Sequence, residues 1–343
     1  MAELDGTAGN STIVWSTAES IPLGAYCFFA TVMGLCGNSL VLYSSIRYDA
    51  LQLDDVSLTF VRNLAVADIL YTLASLLPIS ITYMTREYLL GDQVCFIDAQ
   101  VSSTPVISNV LTVLAITSHR LCLLRPPYHS ISKTTANIMV ALIWLVSTSP
   151  TIAALSYHSN SVFDPVTAAC STSVYDDAPP GVIILIFGVL CVLPLLAITL
   201  LSVILSVIAI KHSKLHSNDR EQQRNNKALI LVCSVAGLML VSWIPYIVRT
   251  VMGWMNHALP PSVTVLGSYG DFINTFGNPF LYSFTNVKFR DYIKNVLNGI
   301  FRKTSVAAGI KTTKTSNIVI FYFPEIRTET NVGFSRSGYG TRV

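Results

Sequence analysis

The sequence has little charge. Only 12% of its 343 residues are Asp, Glu, Lys or Arg, whereas soluble domains usually carry about 25%. Hydrophobic residues make up 52% of the chain. This balance excludes an ordinary soluble domain and indicates a membrane protein.

Seven apolar runs are long enough to cross the hydrocarbon core of a bilayer, which takes about 20 residues. They are residues 22–46, 57–83, 94–118, 134–155, 181–210, 228–254 and 262–284, here called spans one to seven. Because backbone groups in lipid must find partners within the protein, we predict an all-α membrane protein, a seven-transmembrane helix bundle. The predicted divisions are an amino-terminal segment 1–20, the bundle 21–287, a short amphipathic helix 288–303 and a tail 304–343.

The basic residues that flank the spans lie mostly on one side of the predicted bundle. The connections after spans one, three, five and seven are rich in Lys and Arg, whereas the opposite side has only Arg86 and Arg249. By the positive-inside rule, we expect the amino terminus to be extracellular and the carboxyl terminus cytoplasmic, with the protein in the plasma membrane. The leader lacks the apolar core of a cleaved signal peptide. Asn10, in the chain's sole Asn-x-Ser/Thr sequon, is then an expected glycosylation site.

Cysteine use divides into two groups. Five of the seven cysteines lie in or beside apolar runs and are interpreted as buried small hydrophobic residues. Cys95 and Cys170 fall at the outer end of span three and in the loop after span four, where an oxidising compartment would preserve a disulfide. We expect a bond between them that stabilises the fold by about 2 to 4 kcal/mol; two free thiols are the alternative.

Several polar residues fall inside apolar runs. Asp68 is one of these, and a charge in mid-span costs about 2.5 to 3.5 kcal/mol on insertion scales, so it marks a candidate site. The neutral polar residues considered with it are Asn38, Asn109, Asn274, Thr275 and Asn278. Two arrangements are open: one polar core that holds water or a sodium ion, or separate hydrogen bonds between neighbouring helices.

The spans lack the features of two other classes of membrane protein. A metal-dependent membrane hydrolase needs His, Asp or Glu at ligand spacing within its spans. The six histidines lie near loops or span ends, at His119, His129, His158, His212, His216 and His257. A secondary transporter usually has two similar halves, and this chain shows no internal repeat. We keep a seven-span transporter as the alternative function, and an intramembrane enzyme behind it.

Sequence landmarks occur in order along the spans. They are GNSLV in span one, LAVAD in span two, Cys95 and Arg120 at the two ends of span three, Trp144 in span four, Pro194 in span five, SWIPY in span six, and NPFLY in span seven followed by KFRDYI. With one landmark or more in each span, residues 20–302 resemble the rhodopsin-like (class A) G-protein-coupled receptors. The resemblance implies a receptor, not an enzyme, that converts binding of an extracellular ligand into activation of a heterotrimeric G protein.

The resemblance assigns an activation switch to this sequence. The residues that it implies are His119, Arg120, Trp243, Pro245, Asn278, Pro279 and Tyr282. In the family, the arginine pairs at rest with the acid just before it, but here that position is His119. The second restraining acid of the family falls near the uncharged Asn225, with Glu221 a helical turn away. We therefore hypothesise that the resting state is under-restrained and that basal signalling is raised; compensation by other contacts is the alternative.

The family pocket opens between spans three, five, six and seven. Ser102 stands where amine receptors have an aspartate, and Phe272 where opsins have a Schiff-base lysine, so we expect neither a typical amine nor covalent retinal. Small-molecule, lipid and peptide ligands remain open. The candidate pocket comprises Asp98, Ser102, Ser103, Tyr246, Arg249, Thr250, Ser268, Asp271 and Phe272. Asp271 either pairs with Arg249 or a cationic ligand group, or joins the polar core.

The segment after span seven, KFRDYIKNVLNGIFRK, predicts an amphipathic helix that lies on membrane lipids. No cysteine follows it, so anchoring depends on its apolar face and its charge. The Ser and Thr residues of the tail resemble kinase and arrestin sites, which makes receptor kinases and arrestin expected partners. We expect no nucleic-acid partner, and the apolar residues 318–323 have no assigned role.

Overall fold

The computed structural model describes most of the chain. The described residues are 12–47, 51, 53–124, 131–156, 161–172, 188–213, 220–255, 257, 259–270, 272–307, 311–315 and 318–322. The chain forms two compact units, Met1–Asp291 and Tyr292–Val343.

Long helices form the spans, and most of the spans contain a break. The helices are Thr17–Arg47 in span one; Asp55–Tyr71 and Leu77–Thr85 in span two; Gly91–Val101 and Ser103–Leu124 in span three; Lys133–Ser147 and Ser149–Ser156 in span four; Leu193–Ser213 in span five; Arg220–Trp254 in span six; and Pro261–Tyr269 and Phe272–Thr285 in span seven. A final helix, Val287–Ala307, follows span seven. The prediction of an all-α bundle is confirmed.

Six of the spans are long and apolar enough to cross a membrane as continuous helical segments. Span seven is not among them because it is divided into helices of 9 and 14 residues. Each piece alone is shorter than the roughly 20 residues that a crossing takes, so span seven crosses only as the two helices together.

Spans two and five each contain a five-residue π-helical turn just before a proline. The turn Thr72–Leu76 precedes Pro78, and the turn Gly188–Val192 precedes Pro194. Proline has no backbone N–H, and its ring clashes with the carbonyl four residues earlier. A widened turn relieves this clash and rotates the side chains that follow, which is why π-helical turns often occur at functional sites.

Two small hairpins accompany the helices. Strands β1 (Ser161–Asp164) and β2 (Ala169–Thr172) pair antiparallel, with Phe163 opposite Cys170. Strands β3 (Lys311–Thr315) and β4 (Ile318–Tyr322) form the second hairpin, in the carboxyl-terminal unit. The apolar segment without an assigned role thus contributes a β-strand.

Span three contacts spans two, four, five and six, and span one packs against spans two and seven. The approach of span one to span seven is close: a Cβ atom added at Gly37 would lie 2.8 Å from Cγ of Pro279. The bundle has two ends that matter for function. We call them the Cys95 end, which also carries β1 and β2, and the Arg120 end, where span two begins.

Candidate functional site

At the Arg120 end, a carboxylate holds both His119 and Arg120. Nη2 of Arg120 lies 3.0 Å from Oδ2 of Asp54, and Nε2 of His119 lies 3.2 Å from Oδ1 of the same residue. A carboxylate only accepts hydrogen bonds, so His119 donates from Nε2. Nη2 of Arg120 also donates to Oγ of Ser57 at 2.8 Å. His119 is 3% exposed and Arg120 7%, so the two donors are buried, whereas the Asp54 side chain that accepts from them is partly exposed.

Asp54 occupies this place because it is the N-cap of span two. Its carboxylate accepts from the backbone N–H of Ser57 at 2.9 Å and from the Ser57 hydroxyl at 2.9 Å. Burial alone would raise the pKa of Asp54, but the His119 hydrogen bond, the Arg120 charge and the two Ser57 bonds together hold the pKa well below the usual range of an aspartate. Asp54 is therefore ionised at neutral pH and acts as the counter-ion of Arg120.

The sequence did not predict Asp54 as the partner of Arg120, because the family pattern puts the acids beside the arginine and at the inner end of span six. Asp54 is 65 residues from His119 in the chain. The available signal was local: Asp54 stands three residues before Ser57 at the start of an apolar run, which is the pattern of a helix N-cap. A capping carboxylate at the start of span two faces the same end of the bundle as the end of span three.

A small, partly enclosed groove lies beside Arg120. Its walls come from spans two, three, six and seven, and they are apolar except at the guanidinium and two hydroxyl groups. The lining residues are Leu53, Ser57, Val61, Ile116, Arg120, Leu231, Val232, Val235 and Tyr282. Two of the predicted switch residues, Arg120 and Tyr282, thus border one groove.

Glu221 and Asn225, considered as restraints from span six, lie in the helix Arg220–Trp254, whose first residues extend the predicted span. Their side chains are outside the described part of the structure. The carboxylate that the described residues bring to Arg120 comes from span two.

In mid-bundle, Asp68 connects spans two, three and seven. Nδ2 of Asn109 donates to Oδ1 of Asp68 at 2.8 Å, and Nδ2 of Asn278 donates to Oδ2 at 3.2 Å. Asn38 makes a separate bond from span one, donating to the carbonyl of Thr275 at 2.8 Å. Of the two arrangements left open by the sequence, the structure contains elements of both: a cluster around Asp68 and one independent interhelical bond.

The Asp68 cluster has the chemistry that a small hard cation prefers. Asp68 is fully buried, and the described residues contain no ion pair with it. The amide oxygens of Asn109 and Asn278, the two residues that bond to Asp68, are buried and have no hydrogen-bond partner among the described residues. The same holds for the amide oxygen of Asn274, which no described hydrogen bond joins to Asp68. A carboxylate with neutral oxygen donors suits a hard cation, so these side chains fit a sodium ion.

The remaining switch residues are packed in apolar surroundings. Trp243 is buried and meets Tyr246 edge-on, with ring centroids 5.5 Å apart. Tyr282 is buried and meets Phe289 edge-on at 6.3 Å. Pro279 packs on Gly37, as described above. The switch residues thus occupy two levels of the bundle, Trp243 towards the Cys95 end and Tyr282 beside Arg120.

At the Cys95 end, Cys95 and Cys170 form the predicted disulfide. The bond joins β2 to span three. Asp98, one turn further along span three, accepts from Oγ of Ser75 at 2.9 Å. Ser75 lies in the π-helical turn of span two. Asp98 is therefore tied to span two.

The turn between β1 and β2 enters the bundle beside spans one, two and seven. Ala168 is fully buried and has a left-handed backbone with φ of 51°. The carbonyl of Val166 accepts from Nε1 of Trp15 at 2.7 Å and from the hydroxyl of Tyr83 at 3.3 Å. Tyr269 of span seven donates its hydroxyl to the carbonyl of Thr167. The hairpin closes this side of the bundle.

The described candidate pocket residues differ in their surroundings. The hydroxyls of Thr250 and Ser268 bond to carbonyls of their own helices. Phe272 is buried and stacks on Tyr269 with ring centroids 4.6 Å apart. The other candidates on spans three and six are partly buried: Ser102, Ser103, Tyr246 and Arg249.

Two predicted site residues, Asn10 and Asp271, lie outside the described residues. Among the residues that are described, no three His, Cys, Asp or Glu side chains come together as a metal site.

Comparison with known proteins agrees with this geometry. Residues 37–282 match the family described as "7 transmembrane receptor (rhodopsin family)". Neuropeptide Y receptor type 2 of Bos taurus is 27% identical over 288 residues, which cover 78% of this chain and 72% of that protein. Melanopsin-B of Xenopus laevis is 25% identical over 288 residues, covering 79% of this chain and 54% of that protein.

The fold is similar to that of squid rhodopsin in its crystal structure. The TM-score is 0.62 at 19% sequence identity, and the match covers 85% of this chain and 92% of that chain. At this level of identity the likeness concerns the fold. The family match spans more than half of the sequence and includes the spans that carry Asp68, Arg120 and Tyr282. The chain belongs to the rhodopsin family of seven-transmembrane receptors.

Proposed function

We propose that the protein is a plasma-membrane receptor that binds an extracellular ligand at its Cys95 end and activates a heterotrimeric G protein at its Arg120 end. Members of this family signal through G proteins. The observation that carries the proposal is the groove beside Arg120, bordered by spans two, three, six and seven. A groove built from several spans changes shape when those spans shift, so its affinity for a partner depends on the state of the whole bundle.

The proposed orientation has an extracellular amino terminus. The Cys95–Cys170 disulfide supports it, because disulfides persist in oxidising compartments. The excess of Lys and Arg in connections at the opposite end supports it as well. In this orientation, Asn10 is available for glycosylation, while the tail meets receptor kinases, arrestin and membrane lipids.

The proposed ligand is a small molecule, a lipid or a peptide, but neither a typical amine nor covalently bound retinal. Ser102 offers no negative charge for an ammonium group, and Phe272 offers no amine for a Schiff base. One relative is named a neuropeptide Y receptor and another a melanopsin, so the names of the relatives favour no single ligand class. The hairpin turn fills the side near spans one, two and seven, which favours binding between spans three, five and six.

We also propose that the Asp68 cluster binds a sodium ion as a modulator. Its support is the set of buried oxygen atoms described above, which a cation would satisfy. A buried charge without a counter-ion is costly, so an ion that binds one arrangement of spans two, three and seven stabilises that arrangement over others.

We propose, further, that the receptor has measurable basal output. Sequence alone predicted raised output because Arg120 has no acid beside it. Asp54 now supplies a carboxylate from span two, and basal output accordingly depends on how firmly that carboxylate holds Arg120.

The receptor function is tested by expressing the chain in cells and measuring basal second-messenger output for each G-protein class. We expect wild type to exceed mock-transfected cells in one class and Arg120→Ala to reduce that output. The matched control is Arg47→Ala, an exposed basic residue at the same end of the bundle, which should leave output unchanged. Wild type that reaches the surface but matches mock would contradict raised basal output, and a ligand screen then becomes the test of the receptor function.

A further inference from the structure

The Arg120 end contains a charge arrangement that departs from the usual one in this family. The position just before the arginine holds His119, a donor, where an acceptor is expected. His119 and Arg120 are both donors, and both point at a single carboxylate on a different span. The acid that pairs with the arginine is thus the N-cap residue of span two and not a residue of span three.

We propose that Asp54 is the positioning residue that holds Arg120 in the resting state, with His119 orienting the Asp54 carboxylate. This inference rests on the proposed receptor function. Each oxygen of the carboxylate receives one donor from span three and one from Ser57: Oδ1 from His119 and the Ser57 N–H, Oδ2 from Arg120 and the Ser57 hydroxyl. Four donors fix the carboxylate in position and orientation.

His119 matters in this arrangement because it occupies Oδ1. In the described contacts, Arg120 bonds to Oδ2 through Nη2, and His119 bonds to Oδ1. The two donors of span three thus share one carboxylate, whose side chain is 35% exposed, and an ion pair open to water contributes little to stability. The restraint is therefore present but breakable, which suits a residue that must be released on activation.

The restraint also couples two spans. In the family, the acid just before the arginine lies on the same helix, so breaking that bond moves no second element; only the second acid, on span six, joins two helices. Here the bond joins the end of span three to the beginning of span two. Release of Arg120 therefore frees span two at its first turn, where Leu53 and Ser57 border the groove.

The test is basal G-protein activation by Asp54→Asn, with Asp55→Asn as the matched control. Asp55 is the adjacent residue in the same turn, carries the same charge and is exposed. We expect Asp54→Asn to raise basal output about three- to tenfold at equal surface level, and Asp55→Asn to leave it unchanged.

Asp54 also caps span two, so a second pair of variants separates capping from restraint. Asp54→Ser keeps a capping oxygen but removes the charge, and we expect it to raise basal output as Asp54→Asn does. His119→Asp introduced into Asp54→Asn returns an acid to Arg120 from the neighbouring position, and we expect basal output to fall towards that of wild type.

Each outcome bears on the inference. The inference is overturned if Asp54→Asn has the same basal output as Asp55→Asn, or if Asp54→Ser has the same basal output as wild type. Failure of His119→Asp to lower the output of Asp54→Asn also overturns it. If wild type and all variants activate no G protein, with or without ligand, the receptor function itself fails. If Arg120→Ala lowers the basal output but the Asp54 variants leave it at the wild-type level, only the inference fails.

Discussion

At the scale of single residues, His119 illustrates why a substitution has to be interpreted with its spatial neighbours. Beside Arg120 in the sequence, it replaces an acceptor with a donor. In the structure, its Nε2 bonds to the carboxylate that also holds Arg120. The same side chain therefore removes one restraint and orients another, which neighbours in sequence alone do not reveal.

In an otherwise wild-type background, we expect His119→Asp to lower basal signalling, because an adjacent carboxylate gives Arg120 a second acceptor. The decrease in basal output should be smaller than the decrease that His119→Asp causes in the Asp54→Asn background. The reason is that Asp54 already holds the arginine and that two nearby carboxylates repel each other. The measurement is basal second-messenger output at matched surface level. His119→Asn is the control, as it removes the imidazole without adding charge; equal output from both variants would contradict the prediction.

At the scale of elements, Asp68 connects three helices, and its behaviour should depend on sodium. We expect the thermal unfolding midpoint of the detergent-purified receptor to rise with sodium chloride more than with choline chloride. At ten times the dissociation constant, one bound ion stabilises the folded state by about 1.4 kcal/mol. Asp68→Asn should remove the difference between the two salts. A sodium effect of equal size in Asp68→Asn would rule out this site.

The contact between spans one and seven requires a residue without a side chain. A Cβ added at Gly37 would lie 2.8 Å and 2.9 Å from two atoms of the Pro279 ring. We expect Gly37→Ala to lower the free energy of unfolding by about 1 to 3 kcal/mol, as overpacking does in dense interiors. Gly237→Ala in span six is the control, because a Cβ there meets nothing within 4 Å. Thermal unfolding of both variants provides the comparison.

The helices were predictable, and prolines inside the spans indicated bends, but the form of each interruption was not predictable. Apolar length alone located the spans, since lipid leaves the backbone few alternatives to a helix. The π-helical turn Thr72–Leu76 has no comparable signal, although Pro78 marks its neighbourhood. That turn carries Ser75, which bonds to Asp98. The sequence therefore predicted Asp98 in the ligand pocket but did not predict its bond to span two.

At the scale of the whole molecule, the landmarks of the family predict residues of the switch in several spans. Polar residues inside apolar runs left open either one core or separate bonds, and the structure joins Asp68 to Asn109 and Asn278. Asp54 was missed because depth gives no information on which helix ends are neighbours. The order of the helices around the bundle supplies that information, and composition does not determine it.

The hairpin turn has a consequence for how a signal would begin. Its Thr167 carbonyl is held by Tyr269, the last residue of the first helix of span seven. The second helix begins three residues later at Phe272, whose ring stacks on Tyr269, and it continues to Asn278 and Pro279. A molecule that displaces the hairpin must break the Tyr269 bond. It would therefore act at the end of the first helix of span seven, and the second helix continues to Tyr282, which borders the groove beside Arg120.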